Sequence, residues 1–170
     1  MSNEITKFGD SCEATVTRNA GQADNMGLEG VYTFECYDAQ GNLKDSGSNN
    51  LVVDSGLAYI ISRMKDTAAN VMSHLAGGTS STATADAQTT LISEIARIAL
   101  TSTTIVTTNV IGDSVQYVAT FYPGTATGAL TEAGLFNAAS AGTMLARTVF
   151  PVINKGDLDT LTITWKVTVA

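Results

Sequence analysis

Four charged residues lie inside apolar segments: Glu94 and Arg97 between Ile92 and Leu100, Glu132 between Leu130 and Leu135-Phe136, and Arg147 between Leu145 and Val149-Phe150. A charge among core-type neighbours needs a partner, because burying it alone is costly. The chemistry open to Glu94, Arg97, Glu132 and Arg147 is therefore ion pairing or hydrogen bonding. A structural network that fixes strand register is the reading adopted, with a subunit contact or a ligand role as the alternative.

The other reactive side chains lack the company that catalysis requires. His74 is the single histidine, and no Gly-x-Ser-x-Gly turn presents a nucleophile to it. Alone, it also cannot build a metal site, which needs several converging ligands. The Ala76-Gly-Gly-Thr-Ser-Ser run has no following Gly-Lys-Ser/Thr, so it is no phosphate loop. Asp54, Asp157 and Asp159 have no EF-hand spacing around them. Paired carboxylates for glycoside hydrolysis need two defined partners, and nothing selects a pair. Cys12 and Cys36 match no zinc pattern and are too few for a disulfide framework, so both are expected as free thiols. No catalytic, cofactor-binding or metal-ligating residue is expected, and the protein should fold without a cofactor.

The segments that must position these residues read as strands. From Thr160, Leu161, Ile163, Trp165, Val167 and Val169 alternate with Thr and Lys, the pattern of a half-buried strand. A strand at a terminus needs another strand to hold it, in its own sheet or in a neighbouring subunit. Val31–Tyr37 places Tyr32, Phe34 and Cys36 on one face. Asp38-Ala-Gln-Gly41 supplies a turn toward a return strand through Leu43. Further strands are expected at Val71–Leu75 ending at Gly77-Gly78, Ile105–Val110, Val115–Tyr122, Leu130–Phe136, Met144–Phe150 and Leu158–Val169. A Gly112-Asp113 turn joins the second and third of these. One helix follows Asn50-Leu-Val-Val53, capped by Asp54 or Ser55, with Leu57, Ile60, Ile61 and Met64 as its buried stripe and Arg63 and Lys65 in its last turn. Residues 79–90 are Ser, Thr and Ala with no charge except Asp86, a flexible surface loop. Residues 1–29 are rich in Gly, Asn and Asp, an N-terminal arm or irregular segment. Residues 30–170 then form a single domain, long enough for its own core. The fold class is mainly β: an antiparallel β-sandwich or jelly-roll-like domain with one short helix.

Charged residues make up only 15% of the 170-residue chain, with a net charge of −7. Without a Lys/Arg cluster to displace counterions, binding to nucleic acid is not expected. Nor is binding to an anionic membrane surface. No window approaches a membrane span, and Met-Ser-Asn-Glu-Ile-Thr-Lys lacks the basic flank and apolar run of a targeting segment, so the chain is expected to stay in the cytosol where it is made.

Two stretches bear a resemblance to known proteins. Gly30-Val-Tyr-Thr-Phe-Glu-Cys-Tyr-Asp-Ala-Gln-Gly-Asn-Leu-Lys44 and Asn49-Asn-Leu-Val-Val-Asp-Ser-Gly-Leu57 resemble small virion structural proteins of tailed bacteriophages. Thr131-Glu-Ala-Gly-Leu-Phe-Asn137, Met144-Leu-Ala-Arg147 and Thr162-Ile-Thr-Trp165 look like tailed-phage structural proteins too, among them tail-collar and fibre-like ones. After Lys44, Asp45-Ser-Gly stands where the commonest pattern has a Trp-rich segment. The resemblance implies a non-enzymatic capsid decoration or cement protein, bound in many copies over junctions between capsid subunits. Its partners would be the major capsid protein or tail proteins, in a homo-oligomer or symmetric assembly, with the protein made in the host cytoplasm and located in the virion. A tail fibre, collar or adaptor protein is the alternative. A carbohydrate-binding host-recognition module is the second, disfavoured by the single Trp165 on an apolar strand face.

Overall fold

The computed structural model describes residues 28–48, 51–64 and 70–169. Along the chain come β1 (Leu28–Tyr37), β2 (Leu43–Ser48), β3 (Leu51–Val52), α1 (Asp54–Met64), β4 (His74–Gly78), β5 (Glu94–Ala99), β6 (Ser102–Val106), β7 (Ser114–Phe121), β8 (Gly128–Phe136), β9 (Met144–Lys155) and β10 (Thr160–Val169). They form two five-stranded sheets, in the orders β2-β1-β10-β7-β6 and β3-β9-β8-β4-β5. All the strand pairings are antiparallel, and the protein is a mainly β sandwich with one short helix.

Alternation along the strands builds the inner face of the first sheet. Tyr32, Phe34 and Cys36 are buried, while Val31, Thr33 and Glu35 between them are exposed. In register, Tyr32 lies beside Trp165, Phe34 beside Ile163, and Cys36 beside Leu161. Across β10 the rows continue to Tyr117, Ala119 and Phe121. Leu75, Leu130, Leu135, Phe150 and Ile153 of the second sheet complete the same core. Tyr32 stacks on Phe150 at 5.4 Å and meets Trp165 edge-on at 5.3 Å, which locks the two layers at their centre. Each fully buried large side chain here contributes about 1.5–3 kcal/mol, so the facing rows carry the fold.

Several boundaries differ from the sequence-based expectation. Leu28 and Glu29 belong to β1; the rest of the expected arm, with Cys12, lies outside the described residues. The first hairpin turns as expected, with the Asp38 carboxylate accepting the amides of Gln40 and Asn42. The strand expected from Val71 begins only at His74, beside Phe136, the last residue of β8. β6 covers Ser102–Val106 instead of Ile105–Val110, and a loop of residues 107–113 replaces the Gly112-Asp113 turn. β9 runs on through Pro151 to Lys155. Proline is tolerated there because β3 pairs only with Ala146 and Arg147, leaving that flank of β9 without a strand partner among the described residues. β10 starts at Thr160, and Val169, expected on the buried side, is 46% exposed.

The helix presents a different face from the one expected. Leu57 and Ile61 point to solvent, whereas Gly56 is buried and Tyr59 and Ile60 pack against the core. The cause is Gly56: a Cβ there would lie 2.0 Å from the carbonyl oxygen of Leu145, so only glycine lets α1 rest on β9. Neither Asp54 nor Ser55 acts as the expected cap. Ser55 donates its hydroxyl to the Met144 carbonyl at 2.8 Å, and Val53 O accepts the amides of Gly56 and Leu57.

Candidate functional site

The second sheet turns an outer face away from the core, and β8 and β9 place Glu132 and Arg147 on it. Both side chains are fully buried, with Arg147 Nη2 2.8 Å and Nε 2.9 Å from Glu132 Oε2. Residues 79–93 fold over them. Glu132 Oε1 accepts the amide of Ser93 at 2.7 Å and that of Ser80 at 3.4 Å, and Oε2 accepts Ile92 N at 3.2 Å. Arg147 donates in turn to Gln88 Oε1 at 2.9 Å, Thr82 O at 3.0 Å and Ala83 O at 3.5 Å. The carboxylate thus serves the loop's orphan amides and the guanidinium its orphan carbonyls. Residues 79–90 form the irregular, mostly exposed surface loop expected, and to its internal bonds, such as Gln88 N to Ala85 O, the buried pair adds anchors to the body of the protein.

Small residues make the room. A Cβ on Gly78, opposite Glu132, would lie 2.6 Å from Glu132 Oε1. A Cβ on Gly134 would lie 2.9 Å from Leu91 Cδ2, because Leu91 seats over that glycine. Val53, Ala76, Leu91, Phe136 and Met144 form a second, smaller core under the loop. Glycine within strand-type sequence marks such close approach and was the available signal for this covering.

Glu94 and Arg97 pair on the neighbouring edge strand β5, with Nη2–Oε2 at 2.7 Å and Nε–Oε1 at 2.9 Å. The guanidinium lies 3.6 Å above the Phe136 ring and donates to the carbonyls of Ala138 and Ala141. It therefore anchors the 137–143 loop, where Ala141 and Gly142 both adopt positive φ. The two pairs do not merge: Glu132 and Arg147 hold one loop, and Glu94 and Arg97 another.

A third polar group, a pairing the sequence reading did not anticipate, joins β2 to the end of β9 and the β9–β10 connection. Lys44 pairs with Asp159 and donates to Asn154 O at 3.0 Å. The Lys44 hydrogen bond and the Gly156 amide hold the Asp159 carboxyl below its usual range. Lys155 is buried and donates to Tyr122 O at 3.2 Å; desolvation pushes its pKa down. Burial pushes the Cys36 thiol up, which makes it inert at neutral pH. Cys36, Lys44, Asp45, Val152, Ile153 and Asn154 line a half-open cavity of about 150 Å³.

The remaining candidates are placed simply. His74 Nδ1 is hydrogen-bonded to Ser73 Oγ at 2.8 Å. Asp54 opens α1, where an acid suits the helix dipole. Asp157 lies 3.5 Å from Thr127 Oγ1. Trp165 is fully buried and has no face to offer a sugar. Among the described residues no cluster of three or more His, Cys, Asp or Glu could hold a metal ion. No helix among them is long and apolar enough to cross a membrane.

The surface carries its own pattern at the β6–β7 end. Ile105 is 75%, Val110 70% and Ile111 93% exposed, along a run without a charge from Ile98 to Gly112. Asp113 closes this run, its carboxylate accepting the amides of Thr108, Asn109 and Val110 at 2.7–2.9 Å. Those three bonds hold its pKa well below the usual carboxylate range. An apolar tip whose backbone is tied to Asp113 thus lies beside β6, which has no outer neighbour among the described residues. No family model, curated protein or solved structure matches the chain.

Proposed function

We propose that this protein is a non-enzymatic structural component of a tailed-phage virion, a capsid decoration or cement protein bound over junctions between capsid subunits. The observation that carries the assembly role is the uncharged β6–β7 end, where Ile105, Val110 and Ile111 stand exposed on a chain of net charge −7. Exposed aliphatics on a loop whose backbone is already tied to Asp113 lose little entropy on docking. The residues that carry the resemblance to virion proteins support the same role. They build the framework of both sheets: the β1–β2 hairpin, the β3–α1 junction, β8, the start of β9, and the Trp165 row of β10. The polar groups inside the protein are engaged in holding loops. Glu132, for example, already accepts Arg147 and three amides, which leaves it no capacity to act as a general base.

Quantitative mass spectrometry of purified particles tests the proposal. Copy number on the scale of the major shell protein is expected. Ring-scale copy number would replace the decoration role with a tail component, and absence from the particle would overturn the virion reading.

A further inference from the structure

We propose that β6 is a self-association edge: two copies of this chain pair β6 antiparallel about a two-fold axis through Thr104, joining their first sheets into one continuous sheet. The inference deepens the assembly reading above and rests on it for its biological purpose.

The sandwich has four strand edges, and natural proteins blunt such edges with charges, bulges or brevity. β2 carries Lys44 and Asp45, β3 is two residues long, and β5 carries Glu94 and Arg97 with a register shift opposite at Gly77/Gly78. β6 has none of these devices. It reads Ser-Thr-Thr-Ile-Val, pairs with β7 without a register shift, and ends its sheet with no strand on its outer side among the described residues. It therefore presents a row of backbone donors and acceptors in a regular, β-branched strand.

Charge and symmetry select a second copy as the occupant. Two chains of net charge −7 repel except where acidic residues are absent, and β6 lies within the uncharged run from Ile98 to Gly112. A two-fold axis at Thr104 sets that residue opposite its symmetry mate, Thr103 opposite Ile105, and Ser102 opposite Val106. Thr–Thr and Thr–Ile neighbours are favourable cross-strand pairs. Ile105 sits beside Val115, in the row that continues to Val167 on the core side of the sheet, yet it is 75% exposed. Pairing extends that row and covers it.

Sedimentation equilibrium of the full chain at mid-micromolar concentration should give twice the 17.7 kDa chain mass. Thr104→Lys and Thr104→Glu each place like charges opposite one another and should weaken association at least about tenfold. Mixing the two variants should restore the dimer, which a folding defect could not do. Mild oxidation of Thr104→Cys should yield a dimer bridged between the introduced thiols, whereas Tyr122→Cys, exposed but away from the edge, should not. A monomeric wild type, or variants that associate as it does, would overturn the proposal. A bridge from the introduced thiol to Cys12 would overturn it in favour of the N-terminal segment as occupant. Because these readouts use the isolated chain, a monomer refutes the edge and leaves particle copy number to judge the virion reading separately.

Discussion

Glu132 and Arg147 neutralise each other and also supply the hydrogen bonds that residues 79–93 lack, so their removal should act at two levels. Glu132→Ala or Arg147→Ala leaves a fully buried charge alone and should cost about 3–5 kcal/mol in urea denaturation. The double alanine variant should cost less than the sum, because the two share one network. A Glu132→Leu, Arg147→Met double variant separates anchoring from stability. Apolar replacement removes the lone buried charge, so this variant should be more stable than either single alanine variant, but the loop groups left without partners keep it below the wild type. The amides of Ser80, Ile92 and Ser93 should nevertheless lose hydrogen-exchange protection, because their acceptor is gone. Unchanged protection there would show that the pair does not hold the loop.

At the scale of elements, α1 and the 107–113 loop each depend on one residue. Gly56→Ala gains about 1 kcal/mol of helix propensity. It also drives a methyl into the Leu145 backbone, which neither element can move aside without leaving its partners. The clash should win, for a net loss of about 1–3 kcal/mol measured by thermal or chemical unfolding. A stabilised variant would mean that α1 is not seated on β9. Asp113 controls the loop through its carboxylate. Its folded pKa lies below the unfolded value of about 3.9, so its contribution is fully present above that value and is lost as pH falls through the lower folded one. NMR shifts of the Thr108, Asn109 and Val110 amides should therefore stay constant down to about pH 4 and change only in stronger acid. Asp113→Asn should abolish that transition, and a midpoint near the ordinary carboxylate value would refute the assignment.

The whole molecule behaves as two sheets around one core, and Cys36 reports on their separation. Its side chain is buried between β1 and its neighbours, and burial raises its pKa. Alkylation of Cys36 at mildly alkaline pH should be negligible in the folded protein. With added denaturant it should rise at the same midpoint as the loss of circular dichroism, as a two-state domain requires. Labelling well before that midpoint would reveal local opening of the β1–β2 hairpin.

The residue sequence alone determined the β class and the inner rows. Side-chain alternation is local, so Tyr32, Phe34 and Cys36, or Leu161, Ile163 and Trp165, declare their face without knowledge of a partner. It also showed that Glu94, Arg97, Glu132 and Arg147 need company, because charge inside an apolar run is costly wherever the chain folds. Tertiary structure alone decided which company they keep and which surfaces stay open. The buried face of α1 depends on a glycine meeting the Leu145 backbone, a contact that hydrophobic periodicity cannot register. The hold on residues 79–93 depends on β8 and β9 lying side by side, with Gly78 leaving space beside Glu132. β10 enters between β1 and β7, and that insertion leaves β6 at the margin. Edges are set by strand order, and strand order is settled by long-range packing, so the strand left at a sheet's margin is known only when the sheets are complete.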